Sequence, residues 1–565
     1  MSNLIQAAKD QIAVLTESAY RRAAAAGVLP AGHAVQGTVE IPKDAKNGDY
    51  ASGFALAAAK PMRMQPRVIA QAVLDNLDLT DSFFASAAAA GPGFLNFTLS
   101  DKWYGEVLRD VEREGASYGA VDLGKGRRVM VEFVSANPTG TMTIGNARGG
   151  VLGDALASVL SRAGYDVWRE FYVNDAGNQV EKFALSLEAR YLQRILGEDS
   201  VAFPEDGYHG TDIWDLADLF RAKYGDTFVD IAPAERREAM KDFGLDYNIE
   251  KMKTDLERYG IRYDRWFLES SLHESGYVDE TVALLTKNGL TYEKDGALWL
   301  KNTDLGADKD EVLRRANGFY TYYAVDLAYH RNKFVERGFD RVIDVWGADH
   351  HGHAIRFAAS MKAPGLGLEG KQLDFLIMQL VHLVRDGESV KVSKRSGKVI
   401  TLSDLLDEIS VDAARYWFNS RPNTHLEFDL DLAVREDSEN PVYYIQYAHA
   451  RICSLVANLA AEGETVRPAA EVDAALLTDE TERALLKSLS QLPDEIRLAA
   501  RDCDPSRINR YLLQLAGDFH RFYNACRIKG EEPALLAARL KLADTVRSVL
   551  ENCLGLIGVS APVKM

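Results

Sequence analysis

Two short runs carry residues suited to handling phosphate. The first is NPTGTMTIGNARGG, residues 137–150, which follows the β-forming run VMVEFV at 129–134. Glycines and threonines replace bulk where a strand would give way to a helix. Val151, Leu152, Ala155, Leu156, Val159 and Leu160 fall on one helical face, so a helix is expected to begin near Arg148. Such a strand–loop–helix turn sets free N–H groups, and the positive end of the helix dipole, at the carboxyl edge of a parallel sheet, where phosphates bind. Gly140 and Gly145 would let backbone approach a ligand, and Thr143 and Asn146 would add neutral donors. The alternative is a tight turn whose glycines serve geometry alone.

The second run is RDGESVKVSKRSGKVITLSDLL. Asp386-Gly387 reads as a hairpin turn, and Lys391, Ser393 and Lys394 follow it. Glycine-flanked lysines can clamp a transferring phosphate and stabilise its developing charge. By itself this run reads as a solvated basic loop; the pair of runs, in this order, is the specific signal.

Two acids lie in apolar surroundings: Glu132 within VMVEFV and Asp326 within TYYAVDLAYH. A carboxylate there is costly unless it meets a cation, which would be a protein Lys or Arg or a ligand guanidinium held by the carboxylate. The cluster ADHHGH offers Asp349, His350, His351 and His353. Adjacent residues converge poorly on one ion, so no metal site is expected; contacts to adenine, ribose or substrate suit them better.

These residues need a framework. From 116 to 435 strand and helix patterns alternate, as in a parallel sheet, with RVIDVWG at 341–347 a second clear strand and a mostly helical insertion near 180–300. Residues 1–115 read as an α+β unit, with helices at 4–26 and 67–77 and strands near Val39 and at 91–100. In 436–565 strand signals vanish and helical periodicity runs over 443–459, 480–498, 505–526 and 535–556, with Pro493 able to split the second helix. The fold class expected is α/β, with an N-terminal α+β domain and a C-terminal all-α bundle. Aromatics and arginines crowd the bundle (Tyr443, Tyr444, Tyr447, Arg451, Phe519, Tyr523), a composition that serves either stacked RNA bases or plain core.

The totals exclude less than they permit. The chain has 565 residues and a net charge of −17, which argues against sequence-blind binding to nucleic acid but leaves local basic and aromatic patches free to bind it. No apolar run approaches the roughly 20 residues a membrane span needs, and the N-terminus reads as an amphipathic helix instead of a signal peptide. Four scattered cysteines, Cys453, Cys503, Cys526 and Cys553, read as reduced thiols of a cytoplasmic protein.

Taken together, the two runs resemble the His-Ile-Gly-His and Lys-Met-Ser-Lys signatures of class I aminoacyl-tRNA synthetases. VEFVSANPTG, GDALASVLSRAGYDVWREFYVNDAGNQ, DGALWL, YYAVDLAYH, VWGADHHGH, IQYAHARICS and the ending LGLIGVSAPVKM resemble the arginyl family in particular, as do NGDYAS and GPGFLNF. The likeness spans essentially the whole chain. It implies a Rossmann-like catalytic domain that joins arginine to tRNA(Arg) at the expense of ATP, with Mg2+ accompanying the nucleotide, and a monomer as the working state. It implies arginine contacts at Glu132, Asn137, Tyr322, Asp326 and Asp349. ATP contacts fall on Gly140, Thr143, Gly145, Asn146, His350, His351, Lys391 and Lys394, with Ser393 in the same signature. For tRNA it implies Phe94 and Asn96 at the D-loop and Tyr444, Tyr447 and Met565 at the anticodon.

The chain departs from the family pattern at two positions, having Thr143 and Asn146 where histidines are expected, and it has Phe94 where some relatives carry tyrosine. A hydroxyl and an amide can both donate to phosphate, so the departure is compatible with activity. It is also what a non-catalytic RNA-binding paralogue would show, although the KVSKR loop, Glu132 and Asp326 count against that. A class I enzyme for another amino acid is disfavoured by the two acids and by the absence of any zinc-ligand cysteine pair.

Overall fold

The computed structural model describes residues 3–390, 400–422 and 424–565. Its centre is a five-stranded, all-parallel sheet built from Arg128–Glu132 (β1), Asp166–Val173 (β2), Arg265–Leu268 (β3), Arg341–Gly347 (β4) and Gln372–Met378 (β5), in the order β5-β4-β1-β2-β3. Strand order reverses at β1 between β4 and β2, the kind of switch point where ligands enter parallel sheets. The strands are near-continuous apolar runs because helices cover them: Val129, Met130 and Val131 of β1 are fully buried.

The helix after the first run is Ile144–Arg162 (α1). It begins four residues before the position that apolar periodicity suggests, because capping fixes its start. Thr143 is the N-cap and its hydroxyl accepts from the Asn146 N–H. Gly153 lets α1 lie close on the sheet, since a Cβ there would stand 2.1 Å from the Phe133 ring. β1 stops at Glu132, short of Val134, because Val134 and Ser135 both take positive φ, 71° and 42°. Left-handed backbone is costly for a β-branched residue.

The stretch 180–300 contains the helices Asn178–Leu196 (α2), Thr211–Tyr224 (α3) and Pro233–Arg258 (α4). It also contains strand β3, the edge of the central sheet, and a hairpin of Thr291–Lys294 with Ala297–Leu300. Two more helices, Ser270–Glu274 and Tyr277–Lys287, lie between β3 and that hairpin, so helix continues past the edge strand to 287. Tyr322–Arg331 (α5) and His351–Ser360 (α6) follow, α6 directly after β4. A three-stranded sheet of Val381–Arg385 (β6), Glu388–Val390 (β7) and Leu426–Asp429 (β8) holds the first residues of the second run. Its β6–β7 turn is at Asp386-Gly387, with φ of 51° and 76°, as the dipeptide implies. Lys391, Ser393 and Lys394 lie outside the described residues.

The N-terminal region pairs an antiparallel four-stranded sheet with Leu4–Ala25, Phe54–Met62, Pro66–Asp75 and Asp101–Glu114. The C-terminal region is helical: Pro441–Ala461 (α7), Glu480–Ser490 (α8), Leu492–Asp502 (α9), Ser506–Ala525 (α10) and Pro533–Leu556 (α11). The break between α8 and α9 falls at Gln491, two residues ahead of Pro493, which takes the tolerated first turn of α9. All four cysteines are free. No helix among the described residues is long and apolar enough to cross a membrane.

Candidate active site

A cavity of about 1850 Å³ opens at the carboxyl edge of the central sheet. Glu132, Asn137, Gly140, Thr143, Gly145, Asn146, Tyr322, Asp326, Asp349 and His350 all line it. These residues come from the end of β1, the loop after it and the first turn of α1, from the turn after β4, and from the first turns of α5. His351 does not line the cavity; α6 starts there, and His353 lines it instead.

The phosphate-loop end is organised by capping. The Asn146 side-chain oxygen accepts from the Thr143 N–H at 2.8 Å and from its hydroxyl at 2.9 Å. The two side chains read as free phosphate donors are thus bonded to one another, which leaves the Asn146 amide NH2 and the α1 backbone N–H groups as donors toward the cavity. Thr143 also forms an antiparallel bridge to Thr401, and the Leu402 N–H donates to the Met142 carbonyl at 3.0 Å. Thr401 caps its own helix, Leu402–Glu408, by the same reciprocal pattern with Asp404. The two signature runs therefore meet at two capped helix N-termini.

The two acids have different fates. Glu132 is buried and its carboxylate accepts from Lys333 Nζ at 2.5 Å and from the Ser135 hydroxyl at 2.9 Å. Lys333, fully buried on the π-helical turn after α5, also bonds Asp344 at 2.9 Å, and His330 meets Asp344 at 2.7 Å. Burial pushes the Glu132 carboxyl up, with Lys333 opposing. Burial acts on Asp344 too, but Lys333 and His330 outweigh it and hold that carboxyl at about 2. So Glu132 meets a protein cation, and only its cavity-facing edge remains for a ligand.

Asp326 has no Lys or Arg partner among the described residues. Its carboxylate faces the cavity, 3.3 Å from His353 Nε2, with the exposed Tyr322 one helical turn before it. Its backbone carbonyl faces His330, which ties α5 to the Asp344 cluster. Asn137 sits in an amide chain, donating to Gln179 at 2.6 Å and accepting from Asn174 at 2.6 Å. Asp349 and His350 are exposed at the rim, 3.5 Å apart. Among the described residues no three His, Cys, Asp or Glu side chains converge as a metal cage would require.

The sequence reading missed Lys333, Asn174 and Gln179 as site residues, whereas His353, named with the ADHHGH cluster, does line the cavity. Only Asn174 and Gln179 carried a local signal, the polar run YVNDAGNQ after β2.

Residues 110–434 match the model for the catalytic domain of class I arginyl tRNA synthetases, residues 8–99 that for the arginyl tRNA synthetase N-terminal domain, and residues 445–565 the DALR anticodon-binding domain. The chain belongs to the arginyl-tRNA synthetase family. It is 49% identical to the arginine–tRNA ligase of Acetivibrio thermocellus over 100% of both chains, and 50% identical to that of Caldanaerobacter subterraneus over 100% of both. The Thermus thermophilus arginyl-tRNA synthetase structure shares the fold, with a TM-score of 0.69 and 24% identity over 98% of this chain and 99% of that one.

At the outer regions expected to meet RNA, Phe94 and Asn96 are half-buried on the strand Phe94–Leu99. Tyr443 and Tyr447 stack in parallel along α7, and Tyr447 and Tyr444 both contact His520 of α10. Tyr447 and Met565 are exposed, whereas Tyr444 packs against the core.

Proposed function

We propose that the protein activates arginine with ATP and transfers it to the 3′-terminal adenosine of tRNA(Arg). The observation that carries this is Asp326: a carboxylate lining a cavity of nucleotide-holding size, with no Lys or Arg partner among the described residues. Asp326 and Tyr322 hold the guanidinium, and Asn137 with the free edge of Glu132 holds the backbone end of arginine. Asp349 borders the same pocket.

ATP enters with magnesium as its companion. Its phosphates lie against Gly140, Gly145 and the α1 N-terminus, with the Asn146 amide donating, and His350 flanks the nucleoside. The arginine carboxylate attacks the α-phosphate, a C–O–P bond forms, and pyrophosphate leaves. Lys391 and Lys394, with Ser393 beside them, stabilise the charge that builds on the phosphates. The 2′-hydroxyl of the terminal adenosine then attacks the activated carbonyl and AMP departs.

Residues 1–115 take the tRNA D-loop through Phe94 and Asn96, and 436–565 take the anticodon through Tyr444, Tyr447 and Met565. The enzyme acts as a monomer in the cytoplasm. The test is arginine-dependent exchange of labelled pyrophosphate into ATP, with and without tRNA(Arg), for the wild type, Asp326→Ala and Lys394→Ala. Exchange lost in both variants supports the reading. RNA binding without exchange in the wild type would leave a binding paralogue.

A further inference from the structure

Arg148 is a fully buried guanidinium with no carboxylate partner among the described residues. The contrast is Arg415, equally buried, which pairs with Asp154. A buried, unpaired charge is expensive, so its retention calls for a reason. Arg148 Nη1 donates to the carbonyls of Gln379 at 2.5 Å and Leu380 at 3.1 Å. Its Nη2 donates to the carbonyls of Arg421, Pro422 at 3.4 Å and Thr424 at 3.0 Å. Only Nε is left without a partner. Burial among carbonyls alone lowers its pKa to about 10.

Those five carbonyls mark a specific place. Gln379 and Leu380 join β5 to β6, and both line the cavity. Residues 421–424 lead into β8, which runs parallel to β6. Arg148 itself sits on α1, five residues after the Thr143 cap. One planar fork therefore ties the phosphate-loop helix to the entry of both neighbouring strands of the second sheet. A lysine ammonium, with three donors at one point, cannot span the same two segments.

We infer that Arg148 is a positioning residue for the nucleotide half of the site, fixing the 379–380 cavity wall against the N-terminus of α1. The arginine half rests on other supports, Lys333 and α5, and is independent of it. This inference rests on the proposed function for the chemical step, though not for nucleotide binding.

The experiment compares wild type with Arg148→Lys in pyrophosphate exchange at saturating tRNA, with ATP affinity measured calorimetrically alongside. The expected result is a fall in kcat of about 10²-fold, the cost of small misplacement, with weaker ATP binding and the KM for arginine within about twofold of wild type. Gly149→Ala supplies a second route to the same wall, because its Cβ would meet Met378 of the cavity at 3.3 Å. It leaves every Arg148 bond in place and should show the same split in milder form. A folded Arg148→Lys with unchanged kcat and ATP affinity overturns the inference, as does an arginine KM that rises as far as that for ATP. If Arg148→Lys does not fold, Arg148→Met, which removes the charge and the donors while keeping a long side chain, decides by the same split. If the wild type shows no exchange, the proposed function fails, and the calorimetric ATP affinities still decide the role of Arg148.

Discussion

Thr143 and Asn146 are bonded to each other, the amide oxygen of one 2.9 Å from the hydroxyl of the other, at the residues where relatives are expected to carry two histidines. The pair turns a site of two free donors into a rigid helix cap with one amide group to spare. Its contribution is in the first place to stability, and only through α1 to phosphate binding.

The cap has a measurable signature. Thr143→Ala and Asn146→Ala should each cost about 1 kcal/mol in urea unfolding. Because each side chain serves the other's backbone N–H, the double variant should lose clearly less than the sum. Strict additivity would mean that the two do not act as one cap.

Asp326→Asn should raise the KM for arginine by about 10²–10³-fold, the usual effect of truncating a buried hydrogen-bonded charge pair. The KM for ATP should stay near wild type. Equal rises in both constants would remove Asp326 from guanidinium recognition.

The cluster beneath the site should reveal itself in pH dependence. Asp344 is held at about 2 in the folded chain, below the ordinary carboxylate value of about 3.9. Its stabilisation is therefore full above pH ~4 and is lost as pH falls through about 2. Glu132, pushed upward by burial, has the opposite sign: its ionisation opposes folding as pH rises past the ordinary carboxylate range. Asp344→Asn should flatten the acid loss in urea melts between pH 4 and 2. Lys333→Met, which strands two buried carboxylates, should cost about 3–5 kcal/mol at pH 7.

On the RNA side, Tyr447→Ala should weaken tRNA binding by about 1–3 kcal/mol, the worth of one base stacked on an aromatic ring. Its thermal unfolding should be unchanged, because the side chain is exposed. Tyr444→Ala should lower stability as well, since its ring packs 4.5 Å from His520 in the core between α7 and α10. Filter binding and thermal melts on both variants separate the two effects.

Local pattern was enough to place the parallel sheet, the strand at 341–347, the turn at Asp386-Gly387, the helical C-terminal region and the loop that lines the cavity. Each is encoded over a few neighbouring residues, by alternation, turn chemistry or helical period. The same reasoning identified Glu132 and Asp326 as acids in need of a cation, because apolar neighbours make that need visible in one dimension. It could not say which acid would find its cation within the chain. Lys333 lies 201 residues from Glu132, and the carbonyls that hold Arg148 lie 231 residues or more away. Nothing in a window of sequence records such distances; they exist only once β4 lies beside β1 and α5 covers them. Sequence thus determined the elements and the chemistry available to them. The tertiary structure alone decided that Glu132 is neutralised from within and that Asp326 is left open to a ligand, because a distant side chain's partner is fixed by what packing brings within 3 Å of it; the Thr143–Asn146 bond, three residues apart in one helix cap, is local instead.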